Sequence, residues 1–241
     1  MKDLISSLNQ EQKEVVLHVE GPALVIAGPG SGKTRALTHK IAYLIQSGHA
    51  VPNEILAVTF TNKAAAEVKE RVATLLSDDG NLLEGFENPQ TIKAGVPQWV
   101  GTFHSVCARI LRIEATPENN LDFTKNFVIY DTDDSQKLIK DVLKELNIAA
   151  RDLDPKGVLA SISKAKSELI DPNDFAEKAR GNFYFERVAK IYPKYQKRLR
   201  ENNALDFDDI LYEVVKLFQN NPKILEKYQN RFRFILIDEY N

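Results

Sequence analysis

Cysteine is almost missing from this 241-residue chain. Cys107 stands alone, which excludes an internal disulfide and a cysteine-based metal site and suits a reducing compartment. The four histidines are scattered and add no metal-ligating cluster. No apolar stretch approaches the roughly 18 residues that a membrane span requires, so no membrane partner is expected. Met1 to Ser7 hold neither an extended apolar run nor a small-residue cleavage site, so the reading is a cytoplasmic protein without an export signal. There is no strong charge excess either. Lys and Arg number 32 against 34 Asp and Glu, for a net charge of −2, so global attraction does not mark a nucleic-acid binder.

What is present fits a folded soluble chain: 43% hydrophobic and 27% charged residues leave enough for a sizeable core. The length exceeds the roughly 100–200 residues of a typical domain, which allows one large domain or two intertwined ones. Charge is uneven locally, with twelve basic and seven acidic residues between positions 151 and 200. A basic face and an ordinary solvated helical face fit that excess equally.

The first half alternates strand-like and helical patterns. Ala23-Leu24-Val25-Ile26 reads as a strand, followed by a glycine-rich turn and a helix from Lys33 to about Gln46. Ile55 to Phe60 repeats the unit, leading into a helix from Asn62 whose alanines favour that state. Residues 77–97 carry Asp78-Asp79-Gly80-Asn81 and several Gly and Pro, and read as a mobile surface excursion before a short strand near Trp99-Val100. From about Ser105 to Asn203 the pattern is mostly helical, with stops expected at Pro117, Pro155, Pro172 and Pro193 and a short strand possible at Phe127 to Tyr130. Phe234 to Ile237 reads as a buried strand. The expected fold class is α/β, a parallel-sheet domain over 1–109 and 206–241 interrupted by a mostly α-helical subdomain over 110–205.

The sharpest chemical signal is Ala27-Gly28-Pro29-Gly30-Ser31-Gly32-Lys33-Thr34, placed between a strand-like run and a helix. Glycines let successive backbone N–H groups turn toward phosphates, and the helix N-terminus adds a favourable dipole. Lys33 suits the β- and γ-phosphates and Thr34 a Mg²⁺ ion. Ala27 stands where the strict pattern has glycine, which matters little at the end of a strand. The second signal is Ile235-Leu236-Ile237-Asp238-Glu239, an apolar run that delivers two carboxylates to the ligand-binding edge of an open α/β sheet. Asp238 suits the Mg²⁺ shell, and Glu239 the general base that activates the water attacking the γ-phosphate.

Further motifs narrow the class. Leu8-Asn9-x-x-Gln12, Thr59 to Ala65, Gly101 to Ser105 and Leu205 to Asp209 occur in this order around the two signals, and together they resemble superfamily 1 helicases of the UvrD/Rep/PcrA type over nearly the whole chain. The resemblance implies a RecA-like P-loop NTPase domain that binds ATP and Mg²⁺. It makes Gln12 the adenine-reading glutamine, although a polar residue on an amphipathic helix looks the same in isolation. It sets Arg35 against the base or phosphates, where a surface arginine reads equally well. Phe60, Thr61 and Asn62, with Thr102, Phe103 and His104, match the family's contacts to single-stranded DNA. A plain strand-to-helix junction and a structural histidine are the bland readings of those residues. Cys107 reads as packing, Leu205 and Phe207 as anchors of the returning chain, and the acids beside them as caps or braces.

The family continues past Asp-Glu-Tyr with Gln-Asp-Thr where this chain has Asn241. The resemblance therefore implies a γ-phosphate-sensing glutamine and a second RecA-like domain with arginine fingers outside this sequence. It also implies slow ATP turnover and weak binding of nucleotide and single strand by this chain alone, and in the intact protein 3′-to-5′ unwinding at a junction of single- and double-stranded DNA. A RecB- or AddA-like helicase–nuclease and a non-motor nucleotide-binding module are the alternatives.

Overall fold

A computed structural model of the chain describes residues 4–77, 95–119, 121–149 and 153–238. These form two compact units, Met1–Val106 with Lys223–Asn241 and Cys107–Pro222. The division falls at 106/107 and 222/223, against the expected 109/110 and 205/206. The expected surface excursion lies almost wholly outside the described residues.

The first unit is α/β. Helices α1 (Gln10–Leu17), α2 (Lys33–Gln46) and α3 (Asn62–Ser77), and α10 (Pro222–Arg231) near its second boundary, accompany strands β1 (Ile55–Thr59), β2 (Trp99–Thr102) and β5 (Phe234–Ile237). The strands form a parallel sheet of order β2-β1-β5, in which Leu56 pairs with both Trp99 and Ile235. β1 is the central strand, and its side chains are almost all buried, as expected for a parallel strand with both faces covered. Ile55 and Ala57 join Ile41 and Leu44 of α2 and Val68 and Val72 of α3 in one core. Trp99 is buried against the ring edges of Tyr228 and Phe232 at centroid distances of 6.2 and 5.1 Å.

Two strand expectations need correction. Ala23 to Ile26 pairs with no strand among the described residues, and Ile26 is 92% exposed. An apolar run becomes a strand only when a neighbouring backbone receives its N–H and C=O groups, and no described residue supplies that ladder. β5 is a strand but not a buried one. Its side chains alternate between two faces: Phe234 and Leu236 pack on the core, while Ile235 and Ile237, on the opposite face, are exposed.

The second unit is helical: α5 (Thr132–Glu145), α6 (Pro155–Ser167), α7 (Pro172–Lys178), α8 (Phe183–Glu201) and α9 (Phe207–Asn220) surround a parallel pair, β3 (Val128–Tyr130) and β4 (Ala204–Asp206). α4 (Phe103–Glu114) spans the first boundary. Pro155 and Pro172 each occupy a first-turn position behind an aspartate N-cap, where the missing N–H costs nothing. Pro193 does not end its helix; α8 runs through it to Glu201. An interior proline costs about 3 kcal/mol. Burial of Val188, Ile191, Tyr192, Tyr195 and Leu199 on the same helix offsets this at about 1.5–3 kcal/mol per large apolar side chain.

This unit also encloses charge. Lys166 is fully buried, with its ammonium 2.5 Å from Asp206 and 2.8 Å from Asp209. Burial disfavours that charge, but Asp209 and Asp206 outweigh it and hold the ammonium above its ordinary range. Asp206 caps α9 in a reciprocal box with Asp209 and accepts from the Tyr195 hydroxyl at 2.9 Å. Of the acids expected to cap or brace, Asp206 and Asp209 do both. Of the two expected anchors, Leu205 is buried, whereas Phe207 is 56% exposed.

Arg200 bridges Asp209 and Glu213. Burial pushes the Glu213 carboxyl up to about 7 despite Arg200, with Asp209 adding to the rise. The folded value therefore lies above the ordinary 4.5. The resulting stabilisation is complete below that ordinary value and is lost as pH rises through about 7. Between pH 5 and 8 the unit is expected to lose on the order of 2 kcal/mol from this group. Melting temperature followed across that range checks this: Glu213→Gln should flatten the decline, and an equal slope in wild type and variant would refute it.

Candidate nucleotide site

The loop from Ala27 to Thr34 turns at two glycines in the left-handed region, Gly30 with φ 76° and Gly32 with φ 87°. Gly32 is the N-cap of α2, and a Cβ there would lie 2.5 Å from Gln12 Nε2. Glycine is thus required both for backbone freedom and for the close approach of Gln12. Lys33 Nζ donates to the carbonyls of Ala27 and Gly28 at 3.1 and 3.2 Å, which holds the ammonium across the entrance of the loop.

Gln12 is tied to the same loop. Its backbone N–H donates to Asn9 Oδ1 and its side-chain oxygen accepts from Asn9 N, a capping box that starts α1. Its Nε2 donates to Ser31 O at 3.0 Å. α1 and the segment before it are strapped to α2 by charged donors: Arg35 reaches Ser7 O ahead of α1 at 2.9 Å, and the buried Lys40 reaches the carbonyls of Val16 and His18 near the C-terminal end of α1. Burial pushes the Lys40 ammonium below its ordinary range. The sequence offered no sign of this strap, because a lysine on a helix reads as solvated until its partners are known.

At the C-terminal edge of the sheet, Asp238 N donates to Val58 O at 2.9 Å, fixing the residue just beyond β5. Asp238 shares a cavity of about 450 Å³ with Pro29, Gly30, Gly32, Lys33, Thr34, Arg35, Glu67 and Arg71. Ala27, Gly28, Ser31 and Gln12 stand behind this lining through their bonds to Lys33 and to the loop. Glu239 lies outside the described residues. Glu67 and Arg71 were missed; they form an ion pair one turn apart on α3. An i,i+4 Glu–Arg pair on the helix after the second strand was the available signal, and it is indistinguishable from an ordinary surface pair.

The cavity combines the cations of Lys33, Arg35 and Arg71, a helix N-terminus, the Thr34 hydroxyl and the carboxylates of Glu67 and Asp238. The loop and Lys33 suit a polyphosphate. The Thr34 hydroxyl and the Asp238 carboxylate are hard oxygen donors that suit Mg²⁺ alongside phosphate oxygens.

A second group of side chains gathers on the same sheet edge. Thr59 and Thr102 are register partners on β1 and β2, so Phe60 and Phe103 occupy equivalent positions one residue beyond them. Phe60 is 76% exposed and Phe103 44%. Thr61 Oγ1 accepts from Ala64 N and Thr102 Oγ1 from Ser105 N, which caps α3 and α4. Asn62 is exposed and His104 half-buried. Cys107 is half-buried, and burial pushes its thiol up to about 11, in keeping with packing.

The UvrD/REP helicase N-terminal domain matches residues 8–241. The chain is 44% identical over 237 residues to the ATP-dependent DNA helicase PcrA of Bacillus subtilis, covering 98% of this chain and 30% of that protein. Proteins of the same description from Staphylococcus aureus and Staphylococcus epidermidis are 43% identical over 240 residues, covering 100% of this chain and 30% of theirs. The chain thus spans about 30% of the length of these curated relatives.

Proposed function

The chain belongs to the UvrD/REP helicase N-terminal domain family, and from that premise we propose that it is the first motor domain of an ATP-dependent DNA helicase moving 3′-to-5′ on single-stranded DNA. The observation that carries the proposal is the convergence of Lys33, Thr34 and Asp238 on one cavity at the C-terminal edge of a parallel sheet. In this reading the loop's backbone N–H groups and the N-terminus of α2 cradle the phosphates of ATP, and Lys33 neutralises the terminal ones. Thr34 and Asp238 hold Mg²⁺, which when bound offsets charge on the phosphate oxygens. Glu239 accepts the proton of the attacking water. The Gln12 carboxamide, with a donor and an acceptor face, reads adenine, and Arg35 lies beside the base or phosphates.

Phe60 and Phe103 offer flat faces to bases, while Thr61, Asn62, Thr102 and His104 reach phosphate and sugar. Asp238 follows β5, while Phe60 and Phe103 follow β1 and β2 of the same sheet, so part of the nucleotide site and the grip on the strand share a rigid support. A second RecA-like domain of the same protein closes on the nucleotide, and opening after hydrolysis steps the strand and separates duplex at the junction.

The test is binding of a fluorescent ATP analogue to this chain, titrated with and without Mg²⁺, and strand displacement by the whole protein. Mg²⁺ should tighten binding in the wild type, and Asp238→Asn should remove most of that gain and stop displacement. Binding indifferent both to Mg²⁺ and to Asp238→Asn would overturn the assignment.

A further inference from the structure

We propose that the exposed face of α8 is a nucleic-acid contact of the helical unit, in which Phe183 stacks on an unpaired base while Arg187, Lys190 and Lys194 follow the phosphates of a single strand. It is separate from the Phe60 and Phe103 edge and involves only residues of the second unit. Positions 183, 187, 190, 194 and 197 recur at spacings of three and four, so they share one stripe of the helix. At 1.5 Å per residue the stripe is about 21 Å long. All but the half-buried Arg187 are exposed.

The local excess of basic residues divides by role. Lys166 and Arg200 are consumed inside the unit by Asp206, Asp209 and Glu213. Lys164, Lys197 and Arg198 face carboxylates of Glu168, Glu201 and Glu145 on the surface. Lys190 and Lys194 have no ion-pair partner among the described residues. Glu186, the acid nearest the head of the stripe, is turned away to accept from Gly181 N at 2.9 Å. The middle of α8 therefore presents the Lys190 and Lys194 ammonium groups with no carboxylate at ion-pair distance among the described residues.

The aromatic at its head is the second observation. Phe183 is 77% exposed, with the Arg187 guanidinium 5.6 Å from its ring centroid. The aromatics that follow it are held from behind: Phe185 meets the edge of Phe175 at 6.1 Å, and the Tyr184 hydroxyl lies 3.4 Å from Ser161 Oγ. Phe183 is left as a flat apolar face on a supported helix end. Lysines are depleted in protein–protein interfaces, whereas cations beside an aromatic platform are how single strands are held without sequence preference. The charge and the ring together select a single strand over an apolar protein partner.

The experiment is fluorescence anisotropy of this chain with labelled dT16 and with a blunt 16-base-pair duplex, each over a salt series. Lys190→Glu with Lys194→Glu should weaken dT16 binding at low salt by about tenfold or more and reduce the slope of log affinity against log salt by about two. Phe183→Ala should weaken dT16 about five- to hundredfold and leave the duplex unchanged. Lys137→Glu with Lys140→Glu, exposed on α5, changes net charge equally and should have less than about a third of the effect of the stripe reversal. Melting curves matching the wild type show that each variant is folded. Equal losses from the two charge reversals would overturn the proposal, as would unchanged dT16 binding by Phe183→Ala or no wild-type binding at low salt. If Phe60→Ala weakens dT16 binding while the stripe variants do not, the stripe is refuted and the sheet-edge contacts stand.

Discussion

Lys33→Ala is expected to lower ATP hydrolysis by the whole protein about a hundredfold or more, the scale for removing a charged group that stabilises the transferring phosphoryl group. Unwinding should disappear with it, while single-strand affinity in the absence of nucleotide changes little, because the strand contacts proposed on the sheet edge do not involve this side chain. The geometry makes the experiment clean. The Lys33 ammonium bonds only the carbonyls of Ala27 and Gly28 among the described residues, in a partly exposed setting. Water can take over both carbonyls once the ammonium is gone, so the fold should lose less than about 1 kcal/mol. Steady-state ATPase, strand displacement and urea melts on the same preparation separate the outcomes. ATP turnover near the wild-type rate would sink the phosphate role. A large stability loss would instead make Lys33 a structural brace of the loop.

What could be read in advance follows how local the determining physics is. The phosphate loop was legible because its glycines, its lysine and its place before a helix are all set within a few residues. The two left-handed glycines appear within that run. Helices α2 and α3 begin where the glycine-rich turn and the alanine-rich composition placed them. Elements that depend on a distant partner were less legible. The apolar content of Ala23 to Ile26 reads as a strand, yet pairing is decided by a neighbour that sequence cannot name. Ile235 and Ile237 are exposed because the strand's alternation puts them on the face opposite the core, and their apolar character does not reveal which face is covered.

Pro193 was read by its intrinsic preference, and tertiary burial along α8 overrode it. Within the candidate site, Lys33, Thr34 and Asp238 were found from sequence, whereas Glu67 and Arg71 were not. Their chemistry is that of any surface pair, and only the return of α3 toward the loop distinguishes them. Gln12 shows an intermediate case. Its capping box is a local pattern, but its bond to Ser31 O spans nineteen positions.

The largest stability effect is expected at a lysine that sequence reading had counted among surface charges. Lys166→Met should destabilise the helical unit by about 3–5 kcal/mol, the range for breaking a buried ion pair by removing one partner. Methionine fills nearly the same space, so the cost is electrostatic: Asp206 and Asp209 would face one another in the core with only the more distant Arg200 to compensate. Asp209 would suffer most, since Lys166 and Arg200 together overcome its burial and hold its carboxyl below the ordinary range.

The same reasoning predicts a rescue. Lys166→Met combined with Asp209→Asn removes one of the stranded charges, and an asparagine there can still reach Gln196, which donates to Asp209 at 3.1 Å in the wild type. The double variant should therefore recover more than half of the loss, a non-additivity expected of groups in one network. Urea denaturation of wild type, both single variants and the double variant closes the cycle. Strict additivity would mean that the lysine acts through packing alone and that the buried charges do not depend on one another.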